Sequence, residues 1–274
     1  MKSTIRARTA NEKLLLDNFS AICQSHSDWQ VWSDFCYMFA SAISNRIDKA
    51  QYQHREEQYL QIIRKYGKKD QQRFPIMAQA VIEALEENPW QDFLGSMFMA
   101  LNLGSHWHGQ FFTPYHICQF MADICNTGLK DEIEQKGWTS VLDPCCGGGA
   151  MLIAFAEACM KQNINYQKHV LFAAQDIDMT AGLMCYIQLS LLGCPGYVII
   201  RDSLLHPMTG HPLLVQPAED TWITPLFCSD VWHWRRTAVM IDRLCQPVKT
   251  QSNWKKYFFF TFQKGDEVEN VRSS

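Results

Sequence analysis

Three aspartates in the second half of the chain could share one chemical task, because each closes a short apolar run typical of a β-strand. The acids are Asp143, Asp176 and Asp202, and the runs before them are 138–142, 170–174 and 197–200. Helical patterns separate the runs, which favours parallel strands with helical crossovers in a doubly wound α/β sheet. Ligands bind beyond the carboxyl ends of such strands. The sequence therefore predicts one binding site lined by three carboxylates.

A glycine turn, Gly147-Gly148-Gly149, lies between the first run and an apolar helical segment. A dinucleotide site has Gly-x-Gly-x-x-Gly here, with backbone N–H groups facing a pyrophosphate. Asp143 at the mouth of the turn would repel a pyrophosphate but could bind a cation. S-adenosylmethionine carries an ammonium, a sulfonium, a ribose diol for Asp176 and an adenine amino group for Asp202. We therefore favour S-adenosylmethionine over NAD, and a turn that binds no ligand stays a third interpretation.

Four motifs in this order resemble those of N6-adenine DNA methyltransferases, in particular the modification subunits of type I restriction systems. They are the segments Asp92-Phe93-Leu94-Gly95 with Gly109-Gln110-Phe111-Phe112-Thr113-Pro114, Asp143-Pro144-Cys145-Cys146-Gly147-Gly148-Gly149, Gln175-Asp176-Ile177, and Arg201-Asp202-Ser203-Leu204. The resemblance covers about residues 90 to 207.

The resemblance implies a Rossmann-like class I methyltransferase fold with an N-terminal helical domain and S-adenosylmethionine as cofactor. The residues that it assigns to the cofactor are Phe112, Thr113, Pro114, Asp143, Pro144, Gly147, Gly149, Asp176, Ile177, Asp202 and Ser203. The implied reaction transfers a methyl group to the N6 amino group of adenine in DNA. About 70 residues after the third strand leave no room for a target-recognition domain, so a specificity subunit is the expected partner.

One family motif is missing, the Asn-Pro-Pro-aromatic segment that holds the flipped adenine. Asn88-Pro89-Trp90 precedes the cofactor motifs and is better explained as a helix junction. Asp230 is the candidate acceptor in its place, with Trp232 or Trp234 as the stacking ring. As the alternative, these tryptophans are core or interface residues. Two hypotheses follow: an adenine methyltransferase, or an inactive S-adenosylmethionine-binding relative that serves as a DNA-associated binding or regulatory module. Methylation of a small molecule or a protein is a third, minor option.

The elements that would position this site divide the chain near residue 104. Helical spacing of apolar residues over 10–103, with Ser27-Asp28 as a cap, predicts a helical domain at 1–104. The cofactor-binding domain is predicted at 105–264 and a flexible tail at 265–274. For the fourth strand, Thr237–Ile241 and Tyr257–Phe262 are both candidates.

Composition sets limits on the function. The chain has 274 residues, is 47% hydrophobic and carries a net charge of −3, so bulk charge cannot hold nucleic acid. No apolar stretch is long enough for a membrane span, and we expect a cytoplasmic protein. The 11 cysteines form no Cys-x-x-Cys pair, which favours reduced thiols. His106, His108 and His116 lack matching ligands nearby, so no metal site is predicted.

Overall fold

The computed structural model describes residues 7–103 and 112–245, and the first of these ranges is helical as predicted. Its helices are α1 (Ala10–Ile22), α2 (Asp28–Ser44), α3 (Tyr52–Ile63), α4 (Lys68–Gln71), α5 (Arg73–Glu87) and α6 (Phe93–Ala100). The Ser27 hydroxyl accepts the backbone N–H of Gln30 and caps α2, as the sequence predicts. The junction at Asn88-Pro89 separates α5 from α6.

The second range alternates strands and helices. Its elements are α7 (Tyr115–Cys125), α8 (Leu129–Lys136), β1 (Thr139–Asp143), α9 (Ala150–Lys161), α10 (Tyr166–His169), β2 (Val170–Asp176), α11 (Met179–Leu191), β3 (Gly196–Ile200), β4 (Thr221–Ile223), a short 3₁₀ helix (Pro225–Cys228) and α12 (Asp230–Cys245). The strand order is β1-β2-β3-β4. The first three strands are parallel and β4 is antiparallel to β3. The predicted mixed α/β architecture and its three parallel strands are confirmed.

The fourth strand differs from both candidates. Thr237–Ile241 lies inside α12, because Trp232 and Val239, seven residues apart, both pack against the sheet as helical spacing requires. Tyr257–Phe262 lies outside the described residues, as does the predicted tail at 265–274. Strand β4 has only three residues, too few for a periodic pattern. A doubly wound sheet has a point at which the strand order changes direction. Among the described strands the spatial order simply follows the chain, and no such point is seen.

The two faces of the sheet have different covers. On one face, helices α9 and α11 share a core with the N-terminal helices, including Val141, Phe172 and Val198. On the other face, Leu171 and Tyr197 pack with Trp232 of α12, within a smaller cluster.

Several polar contacts among the described residues join the helical segment to the rest of this core. Trp32 donates its indole N–H to Met184 Sδ at 3.4 Å, and the hydroxyls of Ser33 and Thr180 lie 3.1 Å apart. The buried guanidinium of Arg55 donates to the Thr221 carbonyl on β4 at 2.8 Å. Residues on both sides of position 104 therefore belong to one hydrophobic core.

Candidate functional site

A cleft opens at the carboxyl ends of β1, β2 and β3. It consists of two adjoining cavities of about 430 and 320 Å³. Both are lined by Phe112, Pro144, Cys145 and Gly147. The larger also has Asp176, Ile177, Ala181, Asp202, Ser203 and Leu204, and the smaller has Thr113, Cys118, Asp143, Cys146, Gly148, Ala150 and Met151. The three acids of separate strands thus meet in one cleft.

Phe112, Asp92 and Cys185 pack against the glycine turn, so that a side chain on any of its three glycines would be crowded. A Cβ atom on Gly147 would lie 3.0 Å from the Phe112 ring. One on Gly148 would lie 3.1 Å from Asp92 Oδ1, and one on Gly149 would lie 2.9 Å from Cys185 Sγ. Gly147 and Gly149 also have φ angles of 51° and 93°, which side chains disfavour. The sequence therefore needs glycine here for close approach as well as for the turn itself.

Asp176 links the end of β2 to this turn. Its Oδ2 accepts the backbone N–H of Gly147 at 2.8 Å, and its Oδ1 accepts that of Asp178 at 2.9 Å. Burial raises the pKa of this carboxyl above its usual value, while the N–H donors oppose the shift. A carboxylate has about four acceptor positions, so Asp176 can accept further bonds from the cleft.

Asp143 is the most buried acid of the cleft, with 6% of its surface exposed. Its Oδ1 accepts the backbone N–H of Cys145 at 3.1 Å. Burial raises the pKa of Asp143 to about 6, and the charge of Asp176 contributes to the rise. No ion pair among the described residues includes this carboxylate. A cationic ligand in the cleft could pair with this carboxylate.

Asp202 shapes the loop after β3. Its Oδ1 accepts the backbone N–H groups of Leu204 and Leu205 at 2.8 and 3.1 Å. Ile177 lines the same cavity with 70% of its surface exposed. A cavity lined by both apolar and carboxylate side chains suits a flat ring with a polar edge.

Two predicted cofactor residues lie beside the cleft rather than in its lining. Pro114 lines a third cavity of about 520 Å³ between α1, α6 and the start of α7, and Phe112 and Thr113 border that cavity too. Gly149 lies behind the turn against Cys185. The lining residues that sequence reasoning did not assign are mostly small or apolar: Cys118, Cys145, Cys146, Gly148, Ala150, Met151, Ala181 and Leu204. Four of them, Cys145, Cys146, Gly148 and Leu204, stand inside the quoted motifs, and Ala150 and Met151 follow the glycine turn directly. Cys118 and Ala181 have no such signal.

The structure does not bring the candidate catalytic residues to the cleft. Trp232 is fully buried, and its indole N–H donates to the Gln167 carbonyl at 2.9 Å, just before the amino end of β2. Asp230 is exposed in the first turn of the same helix. The Trp232 ring is enclosed by Trp138 and Phe227, which fits the alternative of a core tryptophan better than a ring that stacks on a base. Asp230 and Trp234 lie at the same end of the sheet, opposite the cleft.

The described part of the chain gives little support to metal binding, disulfide formation or membrane insertion. There, no group of three or more histidine, cysteine or acidic side chains could hold a metal ion. His106 and His108 lie outside the described residues, and His116 is exposed on α7. None of the 11 cysteines forms a disulfide bond in the structure. None of the helices described is long and apolar enough to cross a membrane.

Parallel strands that end in acids around a glycine turn are typical of α/β proteins that bind a nucleoside-containing ligand. A family model described as N-6 DNA methylase matches residues 94–261, more than half of the chain. The chain therefore belongs to the N-6 DNA methylase family, and the suspected relationship is confirmed. The match includes the whole of the cleft. A search of curated proteins found no match.

Proposed function

We propose that this protein binds S-adenosylmethionine in the cleft and transfers its methyl group to the N6 amino group of adenine in DNA. The observation that carries the proposal is the meeting of Asp143, Asp176 and Asp202 around one glycine turn. Family membership supports DNA methyltransferase activity in general. In this proposal β1 to β3 form the cofactor-binding part of a Rossmann-like class I methyltransferase fold.

The residues of the cleft fit the chemical groups of the cofactor. Asp143, buried and without an ion pair among the described residues, would bind the methionine ammonium. Asp176 has acceptor positions left for the ribose diol. Asp202 and Ser203 would bind the polar edge of the adenine, and Ile177, which lines the same cavity, would contact its face.

The bound cofactor supplies an electrophilic methyl group on sulfur. The protein has to align the substrate amino nitrogen with that methyl group and exclude water, since orientation alone lowers such a barrier substantially. Phe112 and Thr113, which border both the smaller cavity and the third one, are placed to close the methionine end. The target base would have to leave the DNA duplex to reach this depth.

A second candidate is a relative that binds the cofactor without transferring the methyl group. It is favoured by the missing Asn-Pro-Pro-aromatic segment. It is favoured further by the position of Asp230 and Trp232 away from the cleft. Such a protein would serve as a DNA-associated binding or regulatory module. A specificity subunit as partner and a cytoplasmic location stay predictions under both candidates.

Calorimetric titration with S-adenosylmethionine, with NAD as the control ligand, tests the cofactor. Saturable binding of S-adenosylmethionine alone is expected, and binding of NAD alone would contradict the proposal. Transfer of a radiolabelled methyl group to DNA from a strain without adenine methylation then separates the candidates. Label found as N6-methyladenine supports the methyltransferase. Tight cofactor binding without transfer to any DNA supports the second candidate.

A further inference from the structure

One glutamine on α11 connects three separate parts of the structure. Gln188 is fully buried. Its side-chain amide donates to the carbonyl of Gly148 at 2.7 Å and to Asp92 Oδ1 at 2.8 Å. Its Oε1 accepts the backbone N–H of Leu94 at 3.1 Å. All the hydrogen-bonding capacity of its NH₂ group is used on the glycine turn and on the start of α6.

Asp92 completes the connection from the other side. It is buried, and its Oδ1 also accepts the backbone N–H of Gly95, which caps α6. The same oxygen lies 3.1 Å from the position of a Cβ atom on Gly148. Gly95 is equally confined, since a Cβ atom there would meet the Asp92 carboxylate. A Cβ atom on Gly148 would also lie 3.4 Å from Gly95 Cα, so the glycine turn lies against the first turn of α6 and the Asp92 carboxylate contacts both.

Neither Asp92 nor Gln188 lines the two cavities of the cleft. Gln188 contacts the cleft through Gly148, whose neighbour Gly147 lines both cavities and is bonded to Asp176. Asp92 lies against the same glycine and also lines the third cavity beside Phe112 and Thr113. Because buried, fully satisfied polar networks are rigid, this one fixes the turn relative to the helical segment. A precisely held turn favours ligand binding by reducing the ordering that binding would otherwise require.

We propose that Asp92 and Gln188 are positioning residues, which hold the glycine turn in the conformation that binds the cofactor and so make cofactor affinity depend on the helical segment. The proposal rests on the proposed function for the identity of the cofactor. The fixed geometry of the turn does not depend on that identity.

The test compares Gln188→Met with Tyr166→Phe. Methionine keeps the approximate shape of glutamine but forms none of its three hydrogen bonds. Tyr166→Phe removes a buried hydrogen bond, 2.8 Å long, from the tyrosine hydroxyl to the carbonyl of Leu192, the C-cap of the same helix one turn after Gln188. The readouts are the Kd for S-adenosylmethionine, the thermal unfolding midpoint, and hydrogen exchange of the backbone amides at Gly147–Gly149 in the ligand-free protein.

For Gln188→Met we expect a Kd raised by about 10-fold and faster exchange of the turn amides. Tyr166→Phe should lower the unfolding midpoint and leave both other readouts unchanged. A wild-type Kd with unchanged exchange in Gln188→Met would overturn the proposal, and so would an equal rise of Kd in Tyr166→Phe. Should Gln188→Met not fold, Gln188→Glu keeps the bond to Leu94 but sets a carboxylate against Asp92, with the same expected direction.

The exchange measurement separates this proposal from the proposed function. If the wild-type protein binds no S-adenosylmethionine, the proposed function fails. Faster exchange of the turn amides in Gln188→Met would still support Asp92 and Gln188 as the residues that hold the turn. Unchanged exchange in that variant would refute the positioning role with or without a cofactor.

Discussion

The carboxylate of Asp176 accepts a hydrogen bond from the backbone N–H of Gly147 over 2.8 Å. The acid at the end of β2 thus fixes the first glycine of the turn after β1. The Asp176 side chain lines the cleft and also fixes the glycine turn beside it. A substitution at Asp176 should therefore affect binding through the lost contact with the ligand and through the altered turn.

Replacement Asp176→Asn tests this double role. The new NH₂ group would face the backbone N–H of either Gly147 or Asp178, so one of the two hydrogen bonds must be lost. We expect S-adenosylmethionine to bind at least about 10-fold more weakly by calorimetry. The matched control is Asp220→Asn, which removes an exposed ion pair with Arg201 outside the cleft. Equal affinities of the two variants would contradict the assignment of Asp176.

Cofactor affinity should depend on pH through Asp143. Only the ionised carboxylate attracts an ammonium group, and burial raises the pKa of Asp143 to about 6. We therefore expect the affinity for S-adenosylmethionine to fall as the pH is lowered through about 6, and to be flat and weak in Asp143→Asn. Titrations from pH 5 to pH 8 check both curves. A wild-type profile that does not change in this range would exclude Asp143 as the partner of the ammonium group.

Asp143 should also make the stability of the protein depend on pH, in the direction opposite to its effect on cofactor affinity. An acid whose pKa is higher in the folded than in the unfolded state holds its proton more tightly when folded, so stability falls as the pH rises from about 4 to about 6. Asp143→Asn removes the buried charge, and should raise the free energy of unfolding at pH 8 by about 1–3 kcal/mol. Urea denaturation of the ligand-free proteins at pH 5 and pH 8 measures this. A destabilised variant at pH 8 would show that the charge is compensated in the folded state.

The sequence predicts those features that depend on local periodicity. The strands that end at Asp143 and Asp176 are confirmed. Both are runs of only five to seven residues, a length typical of buried strands and too short for most helices. Gln188 could not be found in this way, since a glutamine in an apolar helix has no local signature and its partners are 40 and 96 residues away. The helical position of Thr237–Ile241 depends on contacts with the far face of the sheet, which periodicity alone does not reveal.

A comparison of Gly149 and Gly210 distinguishes the cost of backbone strain from the cost of steric crowding. Gly149 and Gly210 both have a φ of 93°, but of the two only Gly149 has neighbours within 4 Å of the position that a Cβ atom would take. We expect Gly210→Ala to lower the free energy of unfolding by about 1 kcal/mol. Gly149→Ala should cost about 2–4 kcal/mol, because its Cβ would lie 2.9 Å from Cys185 Sγ. Chemical denaturation gives both values, and equal losses would mean that the contact with Cys185 relaxes freely.

Substitutions in α12 should affect stability and not the reaction. Trp232 is fully buried and bonded to the Gln167 carbonyl, so Trp232→Ala should cost about 3–5 kcal/mol in the free energy of unfolding. Asp230 is exposed at the amino end of the sheet, and Asp230→Ala should change stability by less than about 1 kcal/mol. Because neither residue touches the cleft, both folded variants should bind S-adenosylmethionine with the wild-type Kd. Loss of methyl transfer in Asp230→Ala, with cofactor affinity, DNA binding and stability intact, would instead restore Asp230 as a candidate catalytic residue.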